Sequence, residues 1–150
     1  MNSRLITLAL VLALATTSAF GQTKHYYSKK NSITIANGNY SQITNDKSIY
    51  IEIYVKEITS QNNMGEIMVQ DIPFNSKDYS NRSYYETFRI YKIKLNENGV
   101  YDYWTIDIAQ DGQTVLFEVD LNSSPSKVVM SRYSPTGDSK VLKRINYLLD

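Results

Sequence analysis

Cysteine is absent from the chain, and that absence removes several chemistries at once. There can be no disulfide framework, no thiol nucleophile, no cysteine-ligated metal and no lipid-modified N-terminal cysteine. Burial and hydrogen bonding alone must hold the fold. Histidine is nearly absent: His25 is the only one. A histidine-rich zinc site needs more than one ligand, and a catalytic triad needs its histidine held by a third group. His25 lies close to the expected mature N-terminus, where chains are loosely held, so it is expected to be an exposed terminal residue. Glycine is scarce, with 6 residues placed mostly at turns, so no glycine-rich phosphate cradle exists and no nucleotide cofactor is expected. No calcium-loop pattern occurs either, and no metal site is expected. A basic surplus is also missing. The 16 Lys and Arg residues nearly balance 15 Asp and Glu residues, which argues against a nucleic-acid partner.

Long apolar runs are absent after residue 15. The one such run, residues 5–15 (LITLALVLALA), follows Asn2 and Arg4 and precedes a small, polar stretch. That three-part pattern is expected to be a cleavable secretory signal, cut after Gly21, with a cut after Ala19 as the second choice. The run is too short for a spanning helix, which needs about 20 apolar residues. Cleavage would remove Arg4 and no acid, leaving a formally neutral chain over residues 22–150. One secreted or periplasmic β domain, away from the membrane after cleavage, is the expectation.

What the sequence does contain is dense turn chemistry. Asn37-Gly38, Asn45-Asp46, Asn98-Gly99 and Asp111-Gly112 each separate runs of alternating apolar and polar residues. Such pairs supply the positive φ of two-residue hairpin turns. Strands are predicted near 32–36, 39–44, 48–58, 64–70, 84–95, 100–109, 114–121 and 127–133, with one long loop over 71–83. Two-residue turns would align Ile35, Tyr40 and Ile51. They would also set Ile93 opposite Trp104, Tyr91 opposite Ile106, and Trp104 opposite Val119. One face then collects Tyr91, Ile93, Leu95, Trp104, Ile106, Ile108, Val115, Phe117, Val119 and Leu121. Lys92, Lys94, Tyr103, Asp107, Glu118 and Asp120 collect on the other. Strand 48–58 alternates Ile49, Ile51, Ile53 and Val55 against Tyr50, Glu52, Tyr54 and Lys56. In the tail, Val141, Leu142, Ile145, Leu148 and Leu149 follow helical spacing, so a short C-terminal helix is predicted, with Asp138 or Ser139 as its cap.

The predicted fold is mainly β. It is an antiparallel up-and-down meander of about eight strands, barrel-like or a β-sandwich, with a short C-terminal helix. The strand count and final helix are similar to the lipocalin group in architecture only. The Gly-x-Trp expected in the first strand of that family is missing, and the sole tryptophan is Trp104, so no family is assigned.

No residue is singled out as catalytic. Glu118, Asp120 and Asp107 share a face, but Lys92 and Lys94 share it too, which is the pattern of a solvated sheet surface. Tyrosine is the compositional excess, with 13 residues against 4 Phe. Tyr50 and Tyr54, like Tyr101 and Tyr103, are expected to point outward and could form an aromatic platform for a protein or glycan partner. Arg89 falls on the predicted apolar side, where an unpaired charge is costly. In a barrel it could anchor an anionic or partly apolar small molecule, with Tyr40, Gln42, Tyr91 and Trp104 around it. Two functions follow as expectations: a non-enzymatic exported module enclosing a small ligand, or an interaction domain (adhesin, inhibitor or matrix component) working through outward tyrosines.

Overall fold

The computed structural model describes residues 21–35, 40–41, 48–60, 62–72, 84–110, 112–137 and 139–149. The described strands are β1 (Gln22–Ile35), β2 (Tyr40–Ser41), β3 (Ser48–Ser60), β4 (Asn63–Ile72), β5 (Tyr84–Leu95), β6 (Tyr101–Asp107), β7 (Thr114–Asp120), β8 (Lys127–Tyr133) and β9 (Val141–Leu149). Hydrogen bonding runs from β1 through β3 to β9 in chain order and returns from β9 to β1. The result is a closed antiparallel eight-stranded meander barrel, with β2 as a two-residue flap on β1. Closure removes both sheet edges, which in an open sheet would expose unpaired backbone groups.

β1 makes closure possible because it serves two neighbours. Residues 22–28 pair with 49–55 of β3, and residues 28–35 pair with 143–149 of β9, with a register shift between Ser28 and Lys30. Two expectations are corrected here. The segment around His25 is a barrel strand rather than a loose end. Tyr26, not Tyr40 or Ile35, lies opposite Ile51. The run QTKHYYSKK offers no aliphatic alternation to read, so its strand character comes from β3 and β9 rather than from its own sequence. The turns expected at Asn37-Gly38 and Asn45-Asp46 lie outside the described residues, as do residues 1–20 and most of the predicted loop.

The C-terminal helix is corrected to a strand. β9 sets Lys143, Ile145, Tyr147 and Leu149 opposite Arg132, Met130 and Val128 of β8 and the end of β1. A helix at residues 141–149 would have left both β8 and β1 with a bare edge of unpaired backbone groups. Eight wall strands result as expected, but β9 takes the place that the predicted strand 39–44 would have filled.

The register of β5 and β6 departs from expectation for a local reason. Asn96 N donates to Val100 O (2.9 Å), and Gly99 N donates to Asn96 O (3.0 Å), with Gly99 at φ 75. This is a three-residue loop, a type I turn closed by a left-handed glycine, instead of the two-residue turn that Asn-Gly suggests. One extra residue slips the register by one and turns β6 over, since side chains alternate with period 2. Tyr103, Thr105 and Asp107 are therefore buried inside, and Trp104 and Ile106 face out. A bulge at Tyr91, between the pairs Ile90–Thr105 and Lys92–Trp104, resets β5 as well. The following turn is closed by Asp107 N to Gln113 O (2.9 Å) and slips the register again by an odd number. Val115, Phe117 and Val119 consequently point inward as expected.

The lumen is filled. Ile51, Ile53, Ile67, Phe88, Ile90 and Phe117 have no accessible surface, so no water-sized void adjoins them. At the centre Phe88 and Phe117 meet edge to face, with centroids 4.9 Å apart. Gly65 marks a close approach between β3 and β4. A Cβ there would sit 2.0 Å from the carbonyl oxygen of Tyr54, so β3 and β4 can cross this closely only with glycine at the position.

Candidate functional site

Each end of the barrel carries a polar layer over the apolar core. At the end where β6 and β8 finish, Arg132 turns inward from β8 and bonds Asp107 Oδ2 (2.5 Å) and Glu86 Oε1 (2.6 Å), its guanidinium 5.3 Å from the Phe88 ring centroid. Tyr147 lies in the same interior, and burial, aided by the negative charge of Glu86, pushes its phenol pKa upward. Clefts of about 650 Å³ and 380 Å³ open at this end between the turns, sharing Ala109 and Gln110 in their walls. They are bounded by turn residues together with Tyr85, Glu86, Thr87, Asp107 and Thr114, and no apolar core side chain lines them. At the other end Tyr26, Tyr101 and Tyr103 gather. Burial pushes the Tyr103 phenol up to about 12, and Lys24 Nζ stands 4.6 Å over the Tyr101 ring.

These placements correct the sequence reading of individual residues. Arg89 is exposed on the outer wall, opposite Glu66 and Ile106, because the Tyr91 bulge reverses its side. The inward arginine is Arg132, which falls in line with the buried Val128 and Met130 at every second position along β8. Tyr91 is the half-buried bulge residue, Trp104 faces outward, and Tyr40 pairs with Thr34 in the flap. Gln42 lies outside the described residues. The structure thus does not gather Arg89, Tyr91 and Trp104 around one interior site. Tyr103 is 2% exposed within the lumen and Tyr101 lies on the same inward register at the rim, so neither joins an outward platform.

Tyr50 and Tyr54 do face outward, and the structure adds partners to them. Register places Tyr27, Tyr50, Gln70 and Tyr85 side by side across β1, β3, β4 and β5. Tyr27, Tyr54 and Tyr85 are 46%, 39% and 63% exposed, whereas Tyr50 is buried. The Tyr27 and Tyr50 rings lie 5.1 Å apart, and the His25 ring stacks on Tyr50 at 5.7 Å. Tyr50 donates its hydroxyl proton to Glu52 Oε2 (2.9 Å) and takes a short hydrogen bond from His25 Nδ1. With the phenol proton committed to Glu52, Nδ1 must be the protonated ring nitrogen. Gln70 is buried in this row, and its Nε2 has no hydrogen-bond partner among the described residues. The hydrogen-bonded Tyr50 thus stands at the centre of a wall whose other tyrosines, Tyr27, Tyr54 and Tyr85, present an apolar ring and a polar tip to solvent.

A second cluster occupies the outer face of β6 to β9. Trp104 and Tyr133 stack across β7 at 5.8 Å, covering Leu116. Beside them Asp102 lies directly opposite Glu118. Burial raises the Glu118 pKa and Asp102 pushes the same way, while Arg144 opposes them. Arg144 Nε donates to Ser131 Oγ (3.1 Å). Sequence reading missed this cluster because the expected register placed Trp104 inside and separated it from Glu118.

Among the described residues no group of three or more His, Asp or Glu side chains could hold a metal ion. No family model matches the chain, and neither the curated proteins nor the solved structures contain a significant match to it.

Proposed function

We propose that residues 22–150 form an exported, non-enzymatic recognition module that docks a protein partner on its tyrosine-bearing outer wall. The carrying observation is the group Tyr27, Tyr54 and Tyr85, exposed around the anchored Tyr50 on β1, β3 and β5, with Gln70 of β4 between β3 and β5. Tyrosine gives contact area at low entropic cost and keeps a polar tip, which is why interfaces favour it. The enclosed-ligand reading has less support, because the core is filled and Arg89 and Trp104 stand outside it. Export is part of the proposal: the apolar run 5–15 precedes β1, which starts at Gln22, directly after the expected cut, so cleavage would leave every wall strand whole.

The test is capture from the extracellular or periplasmic fraction of the source with immobilised protein, comparing wild type with Tyr27→Ala/Tyr85→Ala. Loss of a specific protein partner in the variant, with unchanged thermal melting, is the expected result. Equal capture by both proteins overturns the wall as the docking surface. N-terminal sequencing of the exported protein is expected to begin at Gln22.

A further inference from the structure

We propose that the cleft between β5 and the β6–β7 turn takes an extended segment of a partner protein, added as a short strand to the backbone of Tyr85. The partner is the one docked on the tyrosine wall, so this inference rests on that reading. Although the sheet closes, its wall is uneven here. β5 begins at Tyr84, whereas its pairing with β6 begins at Phe88 and Asp107. Beyond that pair Ile108 N donates to Thr87 O (3.3 Å), so the Thr87 main chain points towards β6. Main-chain direction alternates along a strand, so the N–H and C=O of Tyr85 point the same way, and Tyr85 faces Gln70 of β4 as a non-bonded pair of the ladder. The same register would set Gln110 opposite Tyr85, but residues 108–110 already turn, and Gln110 O accepts from Gln113 N (2.9 Å). The cleft of about 380 Å³ opens at this point, with Tyr85 and Gln110 both in its wall. Among the described residues no backbone group bonds the N–H or C=O of Tyr85.

A donor and an acceptor side by side on a strand are complemented by a second extended backbone, which is how strands add to a sheet edge. Side chains of such a segment alternate between two sides. On the outer side they meet the exposed Tyr85 and Ile108, which fit an apolar residue. On the inner side they meet Glu86 and Asp107, both in the cleft wall. These two carboxylates share the single guanidinium of Arg132, so the inner side carries one net negative charge. A lysine or arginine complements it, next in sequence to the apolar residue. An acidic segment would be repelled. Tyr85 also ends the row of Tyr27, Tyr50 and Gln70, so a partner lying on the wall reaches the cleft without a break.

Two substitutions at one position separate backbone from side chain. Tyr85→Ala removes the ring and keeps the N–H. Tyr85→Pro removes both, and because this N–H points away from β4, no bond of the barrel is lost. The experiment screens the purified protein against a positional library of acetylated, amidated hexapeptides and measures the affinity of the best binder by fluorescence anisotropy. Enrichment of an apolar residue beside lysine or arginine is expected. Tyr85→Pro should bind about tenfold more weakly than Tyr85→Ala, the effect of one lost hydrogen bond. Glu86→Gln should weaken binding as well, and Tyr27→Ala should leave it unchanged. If Tyr85→Pro does not fold, hydrogen exchange reads the same bond: the Tyr85 amide of the wild-type protein should slow on adding the peptide, and unchanged exchange overturns the proposal. Failure to enrich any peptide overturns it, as does enrichment of acidic peptides or equal affinity of the proline and alanine variants. A wild-type dimer that Tyr85→Pro converts to monomer also overturns it, because the edge would then pair with a second copy. Capture of a protein partner that is lost in Tyr27→Ala leaves the docking wall standing in each of these cases.

Discussion

Arg132 Nη1 lies 2.5 Å from Asp107 Oδ2, a contact made inside the barrel between β8 and β6, with Asp107 2% and Arg132 7% exposed. Glu86 completes the arrangement from β5 at 2.6 Å. The guanidinium also spans the top of the Phe88 ring, so one side chain seals the apolar core at this end.

Removing Arg132 is therefore expected to be severe. Arg132→Met leaves Asp107 charged and buried, at a cost of about 3–5 kcal/mol. Glu86→Gln should cost no more than about 1 kcal/mol, because the Glu86 side chain reaches solvent. Urea denaturation of the two variants checks the ranking, and equal losses would contradict it.

Gly65 and Gly137 make a matched pair. A methyl group at Gly65 meets the Tyr54 carbonyl at 2.0 Å, whereas at Gly137 no atom of the described residues lies within 4 Å. Gly137→Ala is expected to lose about 1–2 kcal/mol from its φ of 74 alone. Gly65→Ala should lose much more and yield little folded protein, as read by thermal melting and soluble yield.

Tyr103 links stability to alkaline pH. Its folded pKa of about 12 exceeds the ordinary phenol value of 10.0, so the folded state holds the proton more tightly. The stabilisation is fully present below pH 10.0 and is lost as pH rises towards about 12. Denaturation midpoints measured across that window should fall, and Tyr103→Phe should flatten the decline.

Glu118 acts in the same direction at lower pH. Burial raises its pKa in the fold, so its contribution is complete below the ordinary carboxylate range and fades as pH rises through the raised value. Glu118→Gln should remove that decline while leaving the alkaline one attributed to Tyr103 in place. Midpoints of the two variants measured over both windows separate the effects.

Deleting residues 141–150 tests closure. Without β9, the edges of β8 and β1 lose their partners, and the truncated chain is expected to aggregate. A soluble truncated protein with an undiminished β signal in circular dichroism would show that the wall does not need its eighth strand.

Much of this fold was legible in residue order. The alternation of Ile49, Ile51, Ile53 and Val55 marked the inner side of β3, and Val115, Phe117 and Val119 that of β7. Glycine at positions 99 and 112 correctly marked two turns. The candidate surfaces were harder to read. Asn98-Gly99 is compatible with loops of two or three residues, and that single residue decides whether Trp104 or Tyr103 enters the core. The Tyr91 bulge leaves no compositional mark, yet it moves Arg89 outside. Tyr50 and Tyr54 fall on the outer side of β3, as the alternation from Ile49 to Val55 implies, but Tyr50 is buried there among its neighbours.

By itself the sequence determined that this is an antiparallel β meander without disulfides, because alternation and turn residues are local signals carried by neighbouring side chains. Only the tertiary structure decided that the meander closes, that residues 22–28 and 141–149 are wall strands, and that Arg132 rather than Arg89 is interior. Those outcomes depend on satisfying the backbone groups of two distant edges and on odd-numbered slips at turns and bulges. Neither is encoded in any short stretch of the chain.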